Sequence, residues 1–485
     1  MTENTTLNFI NGQYTDPIKG QWIENVSPVS GEVIGKIAQS TMEDIDAACQ
    51  SAKKVVDRWA NMPIEKRAEI LHRIADLIDE NSQQLVKLES EDCGKPITRA
   101  RTIEIPRAAS NFRFFAAAIT QFASETHESV GWNAINLTLR SPLGIVACIS
   151  PWNLPLYLFT WKIAPALATG NCVIAKPSEL TPRTASFVGE LCNQAGLPKG
   201  VLNIIQGTGD SAGQAILEHP EIKAVSFTGG TATGKKVAAT VAPQFKKLSL
   251  ELGGKNPNII FADCDYDKAL AITVYSSFGN QGQICLCGSR ILIEESIYER
   301  FRKDLIAKTR SLKIGNPSDD ETEIGTLISK SHFEKVLAYL KLADEEGATL
   351  LCGGKPAVVE GSEQGCFIEP TIYEIENHQS RICQEEIFGP VVTLHSFRTE
   401  EEALQLANGT PYGLSATLWT TDLDRTMRMT RQIESGVIWV NSWLMRDLRT
   451  PFGGMKASGV GREGGFDSLR FFTQSKNVCI SYRAK

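Results

Sequence analysis

GIVACIS at residues 144–150 and NCVIAK at 171–176 are short, wholly apolar or nearly apolar runs with a helix-length stretch between them. VLNII (201–205), AVSF (224–227) and KLSLE (247–251) continue the series. Runs this short that show no polar face belong to strands buried on both sides, and the gaps between them have room for crossover helices. The pattern predicts a parallel sheet, hence a doubly wound α/β domain.

Downstream of about residue 254 a second series begins with NPNIIFAD, RILIEE, a helix from about Ile297, then ATLLCGG, FIEPTIYEI and PVVTLHSF. One more helix–strand pair fills 400–441, which predicts a second α/β domain. Upstream, the chain reads as helical. Thr41 and Asp44 have capping-box spacing and open a helix running through Trp59. Pro63 opens another, with Ile70, Leu71, Ile74, Leu77 and Ile78 on one stripe. HESVGWNAINLTLRSP (127–142) alternates, and reads as a strand or hairpin leaving the main body. NVCISYRAK at the end reads as a further strand, at an edge or in a partner subunit.

The chain has 485 residues, 42% of them hydrophobic, enough for two or three full cores. A net charge of −6 with mixed signs argues against nucleic-acid binding. The first residues lack a basic and then apolar leader, and no apolar run reaches the roughly 18 residues of a membrane span. The expectation is a cytoplasmic protein that binds neither nucleic acid nor membrane. The twelve cysteines are scattered, mostly inside apolar stretches, and read as buried free thiols. Cys285 and Cys287 form a single CxC with no second pair, so no metal site is expected. The six histidines are isolated and suggest no site.

Two turns at strand ends are candidate ligand contacts. FTGGTATGKK (227–236) has the glycine spacing of a nucleotide-triphosphate loop, but Lys236 stands where that loop needs a magnesium-binding hydroxyl, and no acidic strand end accompanies it. Gly229 and Gly230 followed by a helix near Thr231 suit a phosphate on free N–H groups, or form a plain capping turn. Lys176-Pro177-Ser178-Glu179 ends NCVIAK, where ligands bind in parallel sheets; it reads as a ribose grip, or as a solvated turn capped by Ser178.

FGNQGQICLCGSR (278–290), ISPWNLP (149–155), LELGGKNPNIIF (250–261), QEEIFGPVV (384–392) and PFGGMKASGVGREGG (451–465) occur in the order and at the separations of one family. Together they closely resemble the aldehyde dehydrogenase superfamily over nearly the whole chain. The resemblance implies an α/β fold with a Rossmann-like NAD-binding domain (1–122 and 143–253), an α/β catalytic domain (254–453), and a small protruding β element for oligomerisation (123–142 and 468–485). It implies a homodimer or homotetramer and NAD as cofactor. FTGGTATG matches the family's coenzyme loop, with one departure: Gly230 replaces the usual serine, which leaves backbone N–H groups to hold the pyrophosphate.

Oxidising an aldehyde by hydride transfer first requires something to add to its carbonyl, and a cysteine thiolate is suited to this if its pKa is lowered, as at a helix N-terminus. The resemblance makes Cys285 that nucleophile, Asn153 and the Cys285 N–H the donors to the oxyanion, and Glu251 the base that hydrolyses the thioester. On residue pattern alone, Glu251 reads sooner as a surface carboxylate or a partner of Lys255, and Cys287 as a packing or auxiliary thiol. Lys176, Ser178 and Glu179 fall on the adenine-ribose side, Glu386 and Phe388 on the nicotinamide-ribose side, with Trp152, Gly229 and Gly230 in the same cleft. An acid at 179 repels a 2′-phosphate, which favours NAD over NADP.

EIPRAASNFRFFA (104–116) and NSWLMRDLRTPFGG (441–454) are similar to stretches of the 2-hydroxymuconate and 2-aminomuconate semialdehyde dehydrogenases within that superfamily. Their substrates carry a carboxylate far from the aldehyde, which a guanidinium suits. Arg107 and Arg446, with Arg449 beside them, are the candidate clamp; alternatively Arg446 or Arg449 pairs with Asp447. Trp161 lines the substrate tunnel by resemblance, or packs in the core. Betaine, amino and aliphatic aldehydes remain alternative substrates, as does acyl transfer to coenzyme A, although a retained Glu251 favours water.

Overall fold

The computed structural model describes residues 5–483. All five apolar runs of the first series are strands: Ile145–Ile149, Cys172–Lys176, Leu202–Ile204, Ile222–Thr228 and Lys247–Glu251. They lie parallel, with Ile145–Ile149 in the middle, Cys172–Lys176 then Leu202–Ile204 on one side, and Ile222–Thr228 then Lys247–Glu251 on the other. The chain therefore reverses its direction of travel across the sheet between Ile145–Ile149 and Ile222–Thr228. At such a switch point the loops leaving the two strands diverge and open a crevice at the strands' C-terminal ends.

The second series forms a seven-stranded sheet in the order Thr349–Cys352, Thr371–Glu374, Val391–Phe397, Arg290–Glu294, Pro257–Ile260, Ser415–Trp419, Val437–Val440. Every neighbouring pair is parallel except the first, an edge strand that runs antiparallel. The helix expected from Ile297 is Tyr298–Arg310, entered through one 3-10 turn. Thr126–Ser129 and Ala134–Pro142 form the expected hairpin, and Thr473–Ser481 pairs along Ala134–Pro142 within the same chain. Ala484 and Lys485, the end of the expected terminal strand, lie outside the described residues.

Two expectations for the N-terminal part are corrected. It is not helical from its start: Asn8–Ile10 and Gln13–Thr15 form a hairpin on the free edge of Leu202–Ile204, and Trp22–Val26 and Val33–Ala38 form a separate small sheet with Thr5–Thr6. These strands run two to six residues and mix polar with apolar side chains, so they carry no continuous apolar run. The helix opened by the Thr41–Asp44 box, in which the Thr41 N–H donates to the Asp44 carboxylate at 2.9 Å, ends at Lys53. Val55 leaves helical geometry (φ −125°, ψ −12°) with its side chain in the core, and Val56–Ala60 starts afresh. Helix Ile64–Glu80 follows Pro63 as expected and buries Leu71, Ile74, Leu77 and Ile78 against helix Ile105–Thr120. Among the described residues no helix is long and apolar enough to cross a membrane.

Candidate active site

The segment carrying Cys285 is shaped by three successive residues in the left-handed region, Asn280 (φ 52°), Gln281 (φ 57°) and Gly282 (φ 70°). Only glycine fits the last of these, because a Cβ on Gly282 would stand 2.1 Å from the Gly389 carbonyl oxygen. Side chains pin the two non-glycine residues: Asn280 Nδ2 donates to the Asn153 carbonyl at 3.2 Å and Gln281 Nε2 to the Thr326 carbonyl at 3.0 Å. A turn closed by the Cys287 N–H on the Ile284 carbonyl (3.0 Å) then turns Cys285 into the switch-point crevice.

That crevice is a cavity of about 190 Å³ walled by both sheets. The first contributes Pro151–Asn153 and Thr228–Gly230; the second contributes Cys285, Glu386 and Phe388. The expected lowering of the Cys285 pKa at a helix N-terminus is not met. Cys285 sits on a turn, and burial, Glu386 and Glu251 together push its thiol pKa well up, against the pull of Arg446. Forming the thiolate here requires a proton acceptor.

Glu251, the last residue of its strand, is 4% exposed, and neither carboxylate oxygen has a hydrogen-bond partner. Burial first, and then the charge of Glu463, hold its pKa well above the ordinary carboxylate range, while Lys162, Arg446 and Arg462 pull the other way. A carboxylate raised toward neutrality is a competent general base. With both oxygens unpartnered it forms no ion pair with Lys255, and at 4% exposure it is not a surface carboxylate. Gly453 makes its space, since a Cβ there would come within 3.0 Å of Glu251 Oε1. Behind it lies a buried pair absent from the sequence expectations: Lys162 Nζ to Glu463 Oε1 at 2.7 Å and to Ser226 Oγ at 2.8 Å.

Asn153 is buried beside Cys285, and its amide donates one N–H to the Gln283 carbonyl at 2.9 Å. The second N–H remains to donate to an oxyanion.

On the dinucleotide side, the Glu386 carboxylate accepts the Gly254 N–H at 2.9 Å, and a Cβ on Gly253 would come within 2.2 Å of Glu386 Oε2. Phe388 is held at φ 63°, its ring edge-on to Trp152 at 5.2 Å. Lys176 is buried and reaches Glu179 at 3.3 Å, while Ser178 Oγ accepts the Leu180 N–H, the turn-capping alternative. Gly229 differs from expectation: its N–H donates to the Glu251 carbonyl at 3.1 Å, and so is not free for a phosphate. The free N–H groups belong to the first turn of helix Thr231–Val241, which Gly230 caps. The space a Gly230 Cβ would enter is open. The expectation that no histidine marks a site is also corrected. His332 lines the crevice, donates its Nε2–H to the Phe388 carbonyl at 2.7 Å, and is kept neutral by burial, its pKa lowered to about 4. Lys335, one turn on, lines it too. A lone histidine on a helix gives no sequence signal for this.

On the other side of Cys285, Arg446 lies between two rings, its Cζ 3.9 Å from Phe452 and 4.4 Å from Trp161. Its Nη2 is buried without a partner. Arg107, on helix Ile105–Thr120, lies over Tyr157 at 5.2 Å. Tyr157 and Trp161 are one turn apart on helix Pro155–Ala168, which sets the two guanidinium groups on neighbouring rings of one helix face. Trp161 is 1% exposed and also packs on Phe115, so it serves the core and the platform at once. Arg449 is 81% exposed and closes a two-pronged ion pair on Asp447, with Nη2 at 2.6 Å, as its alternative reading expected.

Residues 14–478 match the model of the aldehyde dehydrogenase family. A zebrafish (Danio rerio) protein named 2-aminomuconic semialdehyde dehydrogenase is 47% identical over 478 residues, covering 98% of both chains. A Pseudomonas sp. (strain CF600) protein named 2-hydroxymuconic semialdehyde dehydrogenase is 45% identical, covering 97% of this chain and 98% of its own. A crystal structure of indole-3-acetaldehyde dehydrogenase complexed with NAD+ superposes with a TM-score of 0.96 at 38% identity, covering 98% of this chain and 97% of that one.

Proposed function

The chain belongs to the aldehyde dehydrogenase family, and from that premise we propose that it oxidises a dicarboxylic semialdehyde of the 2-hydroxymuconate or 2-aminomuconate type to the diacid, using NAD+ and water. The observation that carries the substrate class is Arg446: a guanidinium stacked between Trp161 and Phe452, with an unpartnered buried Nη2, that acts electrostatically on both Cys285 and Glu251. Arg107 extends the same face. A carboxylate held there leaves the far-end aldehyde free to meet Cys285.

In this reading Cys285 Sγ gives up its proton to Glu251 and bonds to the aldehyde carbon, making a thiohemiacetal whose oxygen takes donors from the Asn153 amide and the Cys285 N–H. NAD+, when bound, supplies the acceptor for the hydride that leaves that carbon. The residues present fit the dinucleotide: helix N–H groups beyond Gly230 for the pyrophosphate, Lys176 and Glu179 for one ribose, Glu386 beside the glycine cradle at 253–254 for the other, and an acid at 179 that disfavours a 2′-phosphate. Glu251 then releases the thiol's proton to solvent; water adds to the remaining thioester as Glu251 takes the water's proton, the C–S bond breaks, the acid leaves, and that proton passes to the Cys285 sulfur to restore the thiol. Ser178 and Trp152 shape the cleft, and Arg449 stands outside the clamp.

NADH formation with an acidic semialdehyde, propanal and betaine aldehyde tests the substrate class. A strong preference for the acidic compound is expected; equal turnover of all three removes Arg107 and Arg446 from substrate recognition. The same assay with coenzyme A present is expected to show no acceleration.

We also infer self-association as a homodimer or homotetramer through the small sheet of 126–142 and 473–481, where Trp132 is 79% and Val130 70% exposed. The division into a coenzyme domain (1–122, 143–253), a catalytic domain (254–453) and this element (123–142, 468–485) belongs to the same reading. So does a reducing, cytoplasmic setting, which the twelve unpaired cysteines suit. Light scattering on the purified protein tests the assembly, and a monomer at micromolar concentration would refute it.

A further inference from the structure

Beneath the nucleophile lies a cluster of charges that the chemistry above does not use. Glu89, Lys95, Arg99 and Glu104 are 0%, 1%, 8% and 0% exposed. Glu89 comes from helix Ser82–Cys93, and Glu104 from Ala100–Glu104, a π-helical turn inserted just before helix Ile105–Thr120. Such turns re-aim one side chain at the expense of helix regularity and concentrate at functional sites. Lys95 Nζ meets Glu89 at 3.3 Å and Glu104 at 3.9 Å; Arg99 Nε meets Glu104 at 3.2 Å. Although burial opposes its charge, Glu104, Cys93 and Glu89 hold the Lys95 pKa above its ordinary value.

Stability alone gives little reason for such a cluster. Buried ion pairs recover at best what their desolvation costs, and here one oxygen of each glutamate has no partner. What the cluster has is two outward connections, one to each side of the candidate oxyanion site. Lys95 Nζ donates to the Asn153 carbonyl at 3.2 Å. Arg99 Nη1 donates to the Tyr275 hydroxyl at 3.2 Å; the Tyr275 ring packs edge-on against Trp443 at 5.4 Å; and Trp443 Nε1 donates to the Leu286 carbonyl, one residue past Cys285, at 3.0 Å.

We propose that Lys95 and Arg99 are positioning residues for the oxyanion site, Lys95 fixing the backbone of Asn153 and Arg99, through Tyr275 and Trp443, fixing the turn that presents Cys285. The inference rests on the role given above to Asn153. It assigns to a segment remote in sequence the setting of the distance between a side-chain donor and the backbone N–H it works with. A donor displaced by about 1 Å loses much of its hold on the transition state while leaving ground-state binding intact.

The test is a double-mutant cycle on Lys95→Met and Asn153→Ala, reading kcat, KM for NAD+ and Tm during NADH formation with saturating aldehyde. Lys95→Met is expected to lower kcat by about ten- to a hundredfold with KM for NAD+ within about twofold, and to cost less than about threefold once Asn153 is already alanine. An unchanged kcat, or an equal loss in both backgrounds, overturns the inference and leaves the cluster a structural element. If Asn153→Ala itself leaves kcat unchanged, Asn153 is not the oxyanion donor and the inference falls with that reading. Should Lys95→Met fail to fold, Tyr275→Phe decides in the same cycle, since it removes one hydroxyl from a partly exposed ring; a loss of about threefold that vanishes beside Asn153→Ala supports the proposal, and no loss or an additive one overturns it.

Discussion

Replacing Arg446 with methionine keeps an apolar, unbranched side chain between Trp161 and Phe452 and removes only the guanidinium. The rings approach Arg446 at 4.4 and 3.9 Å, so the replacement side chain keeps packing partners on both sides, and the fold should tolerate it. If Arg446 holds the substrate carboxylate, the variant loses a charge-assisted contact worth about 3 kcal/mol, or about 150-fold in kcat/KM for the acidic semialdehyde. A second effect falls on every substrate. Arg446 holds down the pKa of both Glu251 and Cys285, so its loss raises both, and the acid limb of the pH–rate profile moves to higher pH even for propanal. The informative quantity is therefore the ratio of kcat/KM for the acidic semialdehyde to that for propanal, measured at one pH by NADH absorbance. We expect it to fall by about 100-fold in Arg446→Met, and to recover only in part in Arg446→Lys, which restores charge without the planar fork. Arg449→Ala, a change to an exposed pair, should leave it alone. A ratio that stays within about threefold of wild type in Arg446→Met refutes the clamp, whatever happens to the absolute rates.

Three further outcomes follow from the same geometry. Gly230→Ser places its Cβ in open space at the cap of a helix and should tighten NAD+ several-fold at no loss of Tm, read by fluorescence titration; weaker binding would show that the loop needs the glycine. Gly253→Ala drives a Cβ to within 2.2 Å of Glu386 Oε2 and should raise KM for NAD+ about tenfold or more while Cys285 still reacts with iodoacetamide; an unchanged KM would remove Glu386 from the coenzyme site. Glu251→Gln removes both the acceptor for the Cys285 proton and the hydrolytic base, so it should abolish the NADH burst as well as the steady state, and it carries a stability signature. Because the folded-state pKa of Glu251 is raised, the folded protein holds a proton that the unfolded chain releases above its ordinary carboxylate pKa, so this group costs stability increasingly as pH rises from that value through the raised one. The Tm of Glu251→Gln relative to wild type should therefore be higher at pH 8 than at pH 5, and a gap that narrows with pH would mean that Glu251 is an ordinary ionised carboxylate.

The parallel sheets were legible because their strands are buried on both faces and so write continuous apolar runs; GIVACIS and NCVIAK could hardly be anything else. The N-terminal strands were not, since Asn8–Ile10 and Gln13–Thr15 add to an edge and carry too few apolar residues to register. Cys285, Glu251 and Asn153 were legible only through the resemblance of five motifs, because each alone is a common residue in a common setting. The structure lines one crevice with Cys285 and Asn153 and sets Glu251 near enough to act electrostatically on Cys285, and it gives reasons no motif contains: Gly453 clears the space for Glu251, and Gly282 lets the backbone pass Gly389. His332 and Lys335 were illegible because nothing in one sequence says which turn of helix Lys330–Glu345 faces Phe388. The Glu89–Lys95–Arg99–Glu104 cluster was illegible for the opposite reason. Alternating charges at those spacings look like a solvated helix face, yet Glu89 is buried on helix Ser82–Cys93 and Glu104 on the π-turn at 100–104.

Thr228 and Glu251 are register partners on adjacent strands, and the Gly229 N–H is spent on the Glu251 carbonyl. The loop proposed to face the coenzyme and the carboxylate proposed as the hydrolytic base are thus one piece of hydrogen-bonded backbone. Arg107 and Arg446, by contrast, sit on a helix and a loop outside either sheet. A lineage built on this scaffold can exchange one aldehyde for another by substitutions that leave the sheet untouched, whereas a new oxidant or a new acyl acceptor must be reached by moving both strand ends at once. Diversity of substrate with constancy of chemistry is what that asymmetry permits cheaply.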